Sequence, residues 1–322
     1  MDQKGTLITQ KLTDEKSRER TPIVNLDLPV YAMATPLGFL ADSPNNQPMA
    51  DLSEEERIID KDRAMSQWLS LYNYLASQGL VYLIPTPQQK LQDLVFASNL
   101  AVSIDDFKKD IIVVANFAVK ERIGETEVGR QFFESLGCET YVCPFKFEGD
   151  AELKKIGPKL YVGAYGQRSD IKAYEWMEEK FGIKIIKVNP NNKNLYHLDC
   201  NFLPITREDA IICSESFTKE DIKKLEGQIN LHDVPTVLAD YGASSLVRVH
   251  TTVIADTCID ELDSKEEAYE LENEKLRFLE DIVNKCNLDL TLIPITEFYK
   301  GGAAISCLVM QLNRYSYCLD LI

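Results

Sequence analysis

The stretch EEKFGIKIIKVNP, residues 178–190, contains the junction that decides the fold of this chain. Residues with helical spacing run up to Gly182, and a strand rich in isoleucine and valine follows at once. Glycine suits the end of a helix because it tolerates the left-handed backbone conformation. The stretch therefore predicts a helix, a short cap and a strand in direct succession.

This junction recurs along the chain at intervals of roughly 45 to 60 residues. Further strand candidates at 110–117, 159–165 and 209–216 lie between the copies, so each unit consists of two strands, a helix and a strand. Five such units predict one α/β domain with approximate fivefold internal symmetry. An ordinary doubly wound sheet has similar junctions and stays the alternative. The other copies are centred on Gly79, Gly137, Asn287 and, more weakly, Gly227.

The composition is that of an acidic globular chain of 322 residues, with 45% hydrophobic and 27% charged residues. A net charge of −16 argues against a nucleic-acid partner, because phosphate binding needs clustered Lys and Arg. Eight cysteines without a CxxC pair fit reduced thiols in a cytoplasmic protein, and we expect neither a signal peptide nor a membrane anchor. Residues 1–25 are predicted to form a mobile tail and residues 26–322 a single catalytic domain. A charged helix with a solvated acidic face is predicted at 259–285.

One cysteine has unusual neighbours. In EFYKGGAAISCLVMQL, residues 297–312, two glycines and two alanines come shortly before Cys307. Small side chains let the backbone approach a reacting atom, so we expect residues 301–304 to leave room beside a reactive thiol. A buried cysteine that serves only as a small hydrophobic residue is the alternative.

Polar residues interrupt other strand-like runs. Asp93 and Asn99 flank one run, and Glu148 precedes a glycine at the end of another. His197 and Asp199 are two residues apart, which would place them on one face of a strand. Singly, each has an ordinary explanation as a turn former or a structural residue. Together with the thiol they supply a nucleophile, an imidazole, a carboxylate to orient it and carboxylates to hold a cation, so the set indicates a cationic electrophile.

Five ordered motifs resemble the guanidino-group-modifying enzymes, which share the pentein fold: DLVFASN, FEGD, GAYGQRSD, YHLDCNFLP and EFYKGGAAISCLVM. The resemblance covers about residues 30–312 and implies a five-bladed α/β propeller of ββαβ units, in agreement with the repeat. Within this group the chain is most similar to the arginine dihydrolases. The segment MATPLGFLADSPNNQPM, residues 33–49, matches their asparagine at Asn46, shortly before Met49.

The resemblance implies a role for each candidate residue. Cys307 would attack the guanidinium carbon and form a covalent amidino-enzyme. His197 would protonate the departing amine and then activate water, and Glu148 would orient His197. Asp93 and Asp199 would accept hydrogen bonds from the guanidinium nitrogens, a pairing that selects a planar cation.

Four further residues complete the implied substrate site. Arg122 and Arg168 match family positions that bind the substrate α-carboxylate; for Arg122, an ion pair with a neighbouring glutamate is the alternative. Asn46 and Asn99 would let the enzyme process a ureido intermediate further. The implied partner is a small guanidino substrate, and neither a metal nor a cofactor is expected. Whether the chain forms a homo-oligomer stays open.

The resemblance leaves several reactions open. A hydrolase would give ornithine, carbon dioxide and ammonia as a dihydrolase, or citrulline and ammonia as a deiminase. An amidinotransferase, a dimethylarginine dimethylaminohydrolase and a non-catalytic pentein that only binds a partner are the alternatives. Burying so many polar groups without a catalytic purpose would be costly, which favours an enzyme.

Overall fold

Five three-stranded sheets make up the described part of the chain, which in this computed structural model comprises residues 21–87, 91–104 and 108–313. In each sheet the central strand pairs antiparallel with one neighbour and parallel with the other. The parallel partner always follows the central strand through a helix, as a parallel connection requires. The predicted ββαβ repeat is therefore confirmed, and the doubly wound alternative is wrong.

The elements in chain order are as follows. The strands are β1 Val30–Ala34, β2 Leu80–Ile84, β3 Ala101–Ile104, β4 Ile111–Val114, β5 Glu139–Val142, β6 Leu153–Gly157, β7 Leu160–Ala164, β8 Lys184–Val188, β9 Phe202–Pro204, β10 Asp209–Ile212, β11 Asn230–Asp233, β12 Val247–Val249, β13 Thr252–Asp256, β14 Asp289–Ile293 and β15 Met310–Gln311. The helices are α1 Gln47–Asp51, α2 Lys61–Gln78, α3 Glu125–Ser135, α4 Ile171–Phe181, α5 Lys219–Glu226, α6 Thr236–Asp240, α7 Glu267–Lys285 and α8 Thr296–Tyr299.

The hydrophobic core consists of five clusters, and each is shared by two successive sheets. One cluster joins the fifth sheet to the first, because Val247 and Ile254 pack in the same group as Tyr31 and Met33. A closed ring of sheets follows from this arrangement, since every sheet buries apolar side chains against both of its neighbours.

The first sheet joins the two ends of the described chain. β15 pairs antiparallel with β1, and β2 pairs with β1 in parallel. The buried Asn313 reinforces this closure: its Oδ1 accepts from Val30 N at 2.9 Å, and its Nδ2 donates to the carbonyls of Ile23, Leu26 and Leu28. Ile23 is buried, so the packed chain begins inside the segment 1–25 that was predicted as a tail. Residues 1–20 lie outside the described ranges.

The helix-to-strand junctions follow the prediction at three of the five positions; Gly227 departs from it, because its φ of −72° lies in the right-handed region. Gly137, Gly182 and Asn287 all have φ between 53° and 76°, the left-handed region expected of a helix cap. Gly79 has φ of −164°, and a Cβ there would lie 2.3 Å from the carbonyl oxygen of Pro29. Glycine at this junction therefore allows close packing rather than a left-handed turn.

The charged helix predicted at 259–285 begins only at Glu267, after a separate turn at Ile259–Glu261. The prediction that the acidic face of this helix is solvated is wrong for Glu272. This residue is fully buried, and its Oε2 lies 2.9 Å from Lys275 Nζ. Within the described ranges, all seven cysteines are free, and no helix is both long and apolar enough to span a bilayer.

Candidate active site

A buried pair, Glu148 and His197, lies at the centre of the site. His197 Nε2 is 2.8 Å from Glu148 Oε2, and both side chains are almost inaccessible to solvent. Because a carboxylate can only accept, the proton of this bond is carried by Nε2. His197 and Asp199 flank the start of a short turn at Leu198–Cys200, so the prediction that a strand aligns them is wrong, although the turn keeps them together.

Burial and neighbouring charges act in opposite directions on this pair. Burial alone would raise the pKa of Glu148, but the bond from His197 and the cation of Arg168 bring it down to about 2. Burial lowers the pKa of His197 below 6.5, and the Glu148 charge opposes this only in part. At neutral pH the pair is therefore a carboxylate beside a neutral imidazole that is ready to take a proton.

Cys307 lies in a turn at Ile305–Leu308, directly before β15. Its neighbour Ser306 donates a 2.8 Å hydrogen bond from Oγ to Asp199 Oδ2, which ties the turn to the segment that carries His197. Burial and the Asp199 charge raise the pKa of the Cys307 thiol to about 12. Without ligand the thiol is protonated, and a bound cation is what would favour its thiolate.

Asp93 and Asn99 lie on neighbouring turns rather than around a strand, contrary to the prediction. Asn99 Nδ2 is 3.4 Å from His197 Nδ1, so it borders the imidazole. The Asp93 carboxylate is buried, and burial raises its pKa even though the Arg122 cation acts in the opposite direction. Asp93 Oδ2 accepts from Asn45 Nδ2 at 2.5 Å.

The two arginines that were predicted to bind the substrate α-carboxylate have different surroundings. Arg168 places Nη1 3.3 Å from Glu148 Oε2, and its guanidinium carbon lies 4.6 Å from the centre of the Tyr196 ring. Arg122 is buried and bonds Glu125 through two nitrogens, at 3.0 and 2.7 Å. The alternative given for Arg122, an ion pair with a nearby glutamate, is what the structure shows, although the pair is buried rather than exposed. Only Arg168 lies directly against the catalytic candidates.

Asn46 holds the loop before Cys307. Its Oδ1 accepts from Met49 N at the start of α1, and its Nδ2 donates to the Gly301 carbonyl at 3.1 Å. Gly302 has φ of +71°, and a Cβ there would lie 2.3 Å from Asn46 Oδ1. Gly302 is therefore needed for close packing against Asn46, and Gly301 for close packing against the Phe96 and Phe39 rings, in addition to any room that they leave for a substrate.

A cavity of ≈630 Å³ borders the same loop. Its lining includes Gly302, Ala303 and Ala304 on one side and Cys200 and Ser245 on another, but not the Cys307 thiol. Gly302, Ala303 and Ala304 thus border open space, but the buried Cys307 thiol is not part of its lining, so the expected room beside the thiol stays a prediction.

Four residues at the site were not anticipated. Glu152 Oε1 is 4.0 Å from His197 Nε2, and burial together with the charges of nearby carboxylates raises its pKa well above the ordinary value. Tyr196, Ser306 and Asn45 supply the remaining contacts. Their only sequence signal is adjacency to a predicted residue: Tyr196 to His197, Ser306 to Cys307 and Asn45 to Asn46.

Comparison with known protein families and sequences gives a consistent result. The family model described as N,N dimethylarginine dimethylhydrolase, eukaryotic, matches residues 36–314. The bifunctional arginine dihydrolase/ornithine cyclodeaminase AgrE of Nostoc sp. is 28% identical over 79% of this chain and 34% of its own length. The N(G),N(G)-dimethylarginine dimethylaminohydrolase of Mycobacterium tuberculosis is 28% identical over 52% of this chain and 53% of its own length. This chain spans only about a third of AgrE.

Solved structures show the fold. Unliganded AgrE superposes with a TM-score of 0.77 at 23% identity, over 89% of this chain and 40% of that one. The N-terminal domain of ArgZ bound to product, from an arginine dihydrolase of cyanobacteria, gives a TM-score of 0.76 at 22% identity over 88% and 97%. The dimethylarginine dimethylaminohydrolase of Pseudomonas aeruginosa complexed with citrulline gives 0.66 at 15% identity over 88% and 99%. The predicted pentein fold is therefore confirmed.

Proposed function

Since this chain belongs to the eukaryotic N,N-dimethylarginine dimethylhydrolase family, we propose that it hydrolyses the guanidinium group of arginine or a close relative through a cysteine nucleophile. The observation that supports this most is the buried Glu148–His197 pair beside Asp199, which is bonded to the residue before the thiol. A thiol, an imidazole and buried carboxylates are the groups that covalent hydrolysis of a planar cation needs.

The first half-reaction uses the neutral thiol and the neutral imidazole. Asp93 and Asp199 accept hydrogen bonds from the guanidinium, whose positive charge offsets the burial that keeps Cys307 protonated. The thiol proton then passes to His197, and the sulfur bonds to the guanidinium carbon. The bond to the departing nitrogen breaks as His197 hands its proton to that nitrogen, which leaves an amidino group on Cys307.

The second half-reaction releases the enzyme. His197, neutral again and oriented by Glu148, takes a proton from water as the water oxygen bonds to the amidino carbon. The carbon–sulfur bond then breaks, and the sulfur regains a proton from the imidazolium. With arginine as substrate, one such cycle yields citrulline and ammonia.

A second hydrolysis at the ureido carbon would convert citrulline into ornithine, carbon dioxide and ammonia. Asn99, 3.4 Å from the His197 ring, and Asn46, which holds the Gly301 carbonyl, border the place where this step would occur. Two relatives named as arginine dihydrolases also support this outcome. The family match supports a second candidate, the removal of dimethylamine from dimethylarginine.

The decisive experiment incubates the purified chain separately with arginine and with asymmetric dimethylarginine and identifies the products by mass. Ornithine and ammonia from arginine support the dihydrolase, citrulline with ammonia the deiminase, and citrulline with dimethylamine the second candidate. Cys307→Ala is the control and should form no product, whereas Cys258→Ala should be as active as the parent. Equal turnover by Cys307→Ala and the parent would refute the cysteine mechanism.

The role of Asn99 can be tested with the same assay. If the chain is a dihydrolase, Asn99→Ser should release citrulline in place of ornithine, because the first hydrolysis keeps its nucleophile and imidazole while the ureido group loses a hydrogen-bonding partner. An unchanged ornithine yield would exclude Asn99 from the second step.

A further inference from the structure

Three side chains with metal-binding atoms converge outside the active site. Asp209 begins β10, His232 lies on the neighbouring strand β11, and Cys286 caps the C-terminus of α7. One ligand atom from each lies within 4.8 Å of the other two, and all three residues are half-buried. The residues come from three separate segments of the chain, so sequence spacing did not reveal the group.

The sheet register explains why two of them meet. β10 and β11 are parallel, with Asp209 opposite Asn230 and Ile211 opposite His232. Two residues along a strand return the side chain to the same face, so Asp209 and His232 share a face. His232 Nε2 lies 2.9 Å from Asp209 Oδ1.

The carboxylate is held in a way that supports a ligand. Thr206 Oγ1 donates to Asp209 Oδ2 at 2.8 Å, while Oδ1 is directed to His232. Metal-binding carboxylates are commonly oriented by such an outer hydrogen bond, which fixes one oxygen and presents the other.

The donor set identifies the class of metal. Thiolate sulfur, imidazole nitrogen and carboxylate oxygen together suit Zn²⁺, whereas Ca²⁺ and Mg²⁺ prefer oxygen alone. With metal–ligand distances of about 2.0–2.3 Å, the ligand atoms of a tetrahedral zinc site lie roughly 3.3–3.8 Å apart. The ligand atoms of this group all lie within 4.8 Å of one another, which is close to that spacing.

We propose that Asp209, His232 and Cys286 form a zinc site with water as the fourth ligand. On binding, Cys286 releases its thiol proton, His232 ligates through Nε2 as the neutral imidazole with its proton on Nδ1, and the metal takes the place of the His232–Asp209 hydrogen bond. Asp209 and His232 belong to the fourth sheet, and Cys286 ends the helix of the fifth, so the ion ties two adjacent sheets together. This role is structural and separate from turnover, and it departs from the expectation from the sequence that the chain holds no metal.

Cobalt(II) titration tests the site, because a thiolate bound to Co²⁺ gives an intense near-ultraviolet absorption. The titration uses Cys307→Ala, which removes the thiol of the active site as a competing ligand. We expect one Co²⁺ per chain with this absorption, displaced by Zn²⁺. The absorption should vanish with Cys286→Ala, and binding should weaken at least tenfold with His232→Gln and roughly tenfold with Thr206→Val.

Matched controls replace a cysteine and a histidine that do not belong to the group. Cys258→Ser and His250→Asn, each in the Cys307→Ala background, should bind Co²⁺ as the background protein does. Zn²⁺ should also raise the thermal midpoint of unfolding of the Cys307→Ala protein but not of its Cys286→Ala derivative. Absorption that survives Cys286→Ala, or a chain that takes up neither metal, overturns the proposal. Equal circular dichroism of the metal-free variants shows that loss of binding is not loss of fold.

Discussion

Ser306 Oγ donates a 2.8 Å hydrogen bond to Asp199 Oδ2 and lies 2.5 Å from Ser245 Oγ. The residue directly before Cys307 is thus bonded to the carboxylate that we propose holds the substrate guanidinium. One hydroxyl group therefore links the turn that carries Cys307 to the Asp199 carboxylate.

Ser306→Ala should lower kcat/KM for the guanidino substrate by roughly 10- to 150-fold, since a hydrogen bond to a charged group contributes roughly 1.5–3 kcal/mol. Ser245→Ala keeps the Ser306–Asp199 bond and should have a clearly smaller effect. Steady-state kinetics of both variants provide the comparison. Equal losses in the two variants would mean that the serine pair acts only through packing.

The pH dependence of kcat/KM should have an acid limb that lies below pH 6.5. The pKa of His197 is lowered by burial, so acidification must go below the ordinary value before the imidazole is charged and unable to accept the thiol proton. The pKa of the Cys307 thiol is about 12, so its ionisation in the free enzyme should produce no change between pH 7 and 9.

The same pKa predicts slow alkylation of Cys307 by iodoacetamide at pH 8, measured by peptide mass in the absence of substrate. Rapid alkylation at neutral pH, or a basic limb of kcat/KM near pH 8, would contradict a buried protonated thiol.

Arg168→Ala should penalise arginine more than agmatine, which lacks the α-carboxylate. Both substrates lose activity, because Glu148 loses the cation that lies 3.3 Å from it. Only arginine also loses a carboxylate partner, which costs about 2–5 kcal/mol, so its kcat/KM should fall by roughly a further 30-fold or more. Equal losses for the two substrates would restrict Arg168 to positioning Glu148. Efficient turnover of agmatine by the unaltered chain would identify an agmatine deiminase.

Asn313→Ala should lower the free energy of unfolding by roughly 2–4 kcal/mol, because four hydrogen bonds to the segment 23–30, two of them fully buried, are lost and several backbone groups stay unpaired. Urea denaturation of this variant beside Asn284→Ala, which replaces an exposed asparagine on α7, gives the measurement. A change no larger than that of the control would show that β15 alone closes the first sheet.

The fold could be predicted from the sequence because its repeated unit is local. A helix, a cap and a strand within a dozen residues leave a clear pattern, and Gly182 and Asn287 adopt the backbone conformation expected of them. The segments around Asp93 and His197 were wrongly predicted as strands. Their apolar residues are buried in turns, and the turn at His197 is held by Asn201, whose Nδ2 bonds the carbonyls of Leu195 and His197.

Tertiary contacts account for what the sequence could not show. Asn45 and Asn46 are adjacent and chemically identical, yet only Asn45 bonds Asp93, while Asn46 caps α1. Glu152 has no pattern that distinguishes it from a surface glutamate, although it is buried within 4.0 Å of His197 Nε2. Which member of such a pair reaches the site depends on the path of the backbone.

Cys307 and the start of β15 at Met310 are close in sequence, and this has a consequence for biosynthesis. The ribosome adds Cys307, the proposed nucleophile, only after all five helices of the repeat, and β15, which closes the ring, follows within a few residues. A nascent or truncated chain that ends before residue 307 has neither the thiol nor the closed first sheet. The thiol and the closed first sheet are therefore acquired together at the end of synthesis. Incomplete chains should be catalytically inactive.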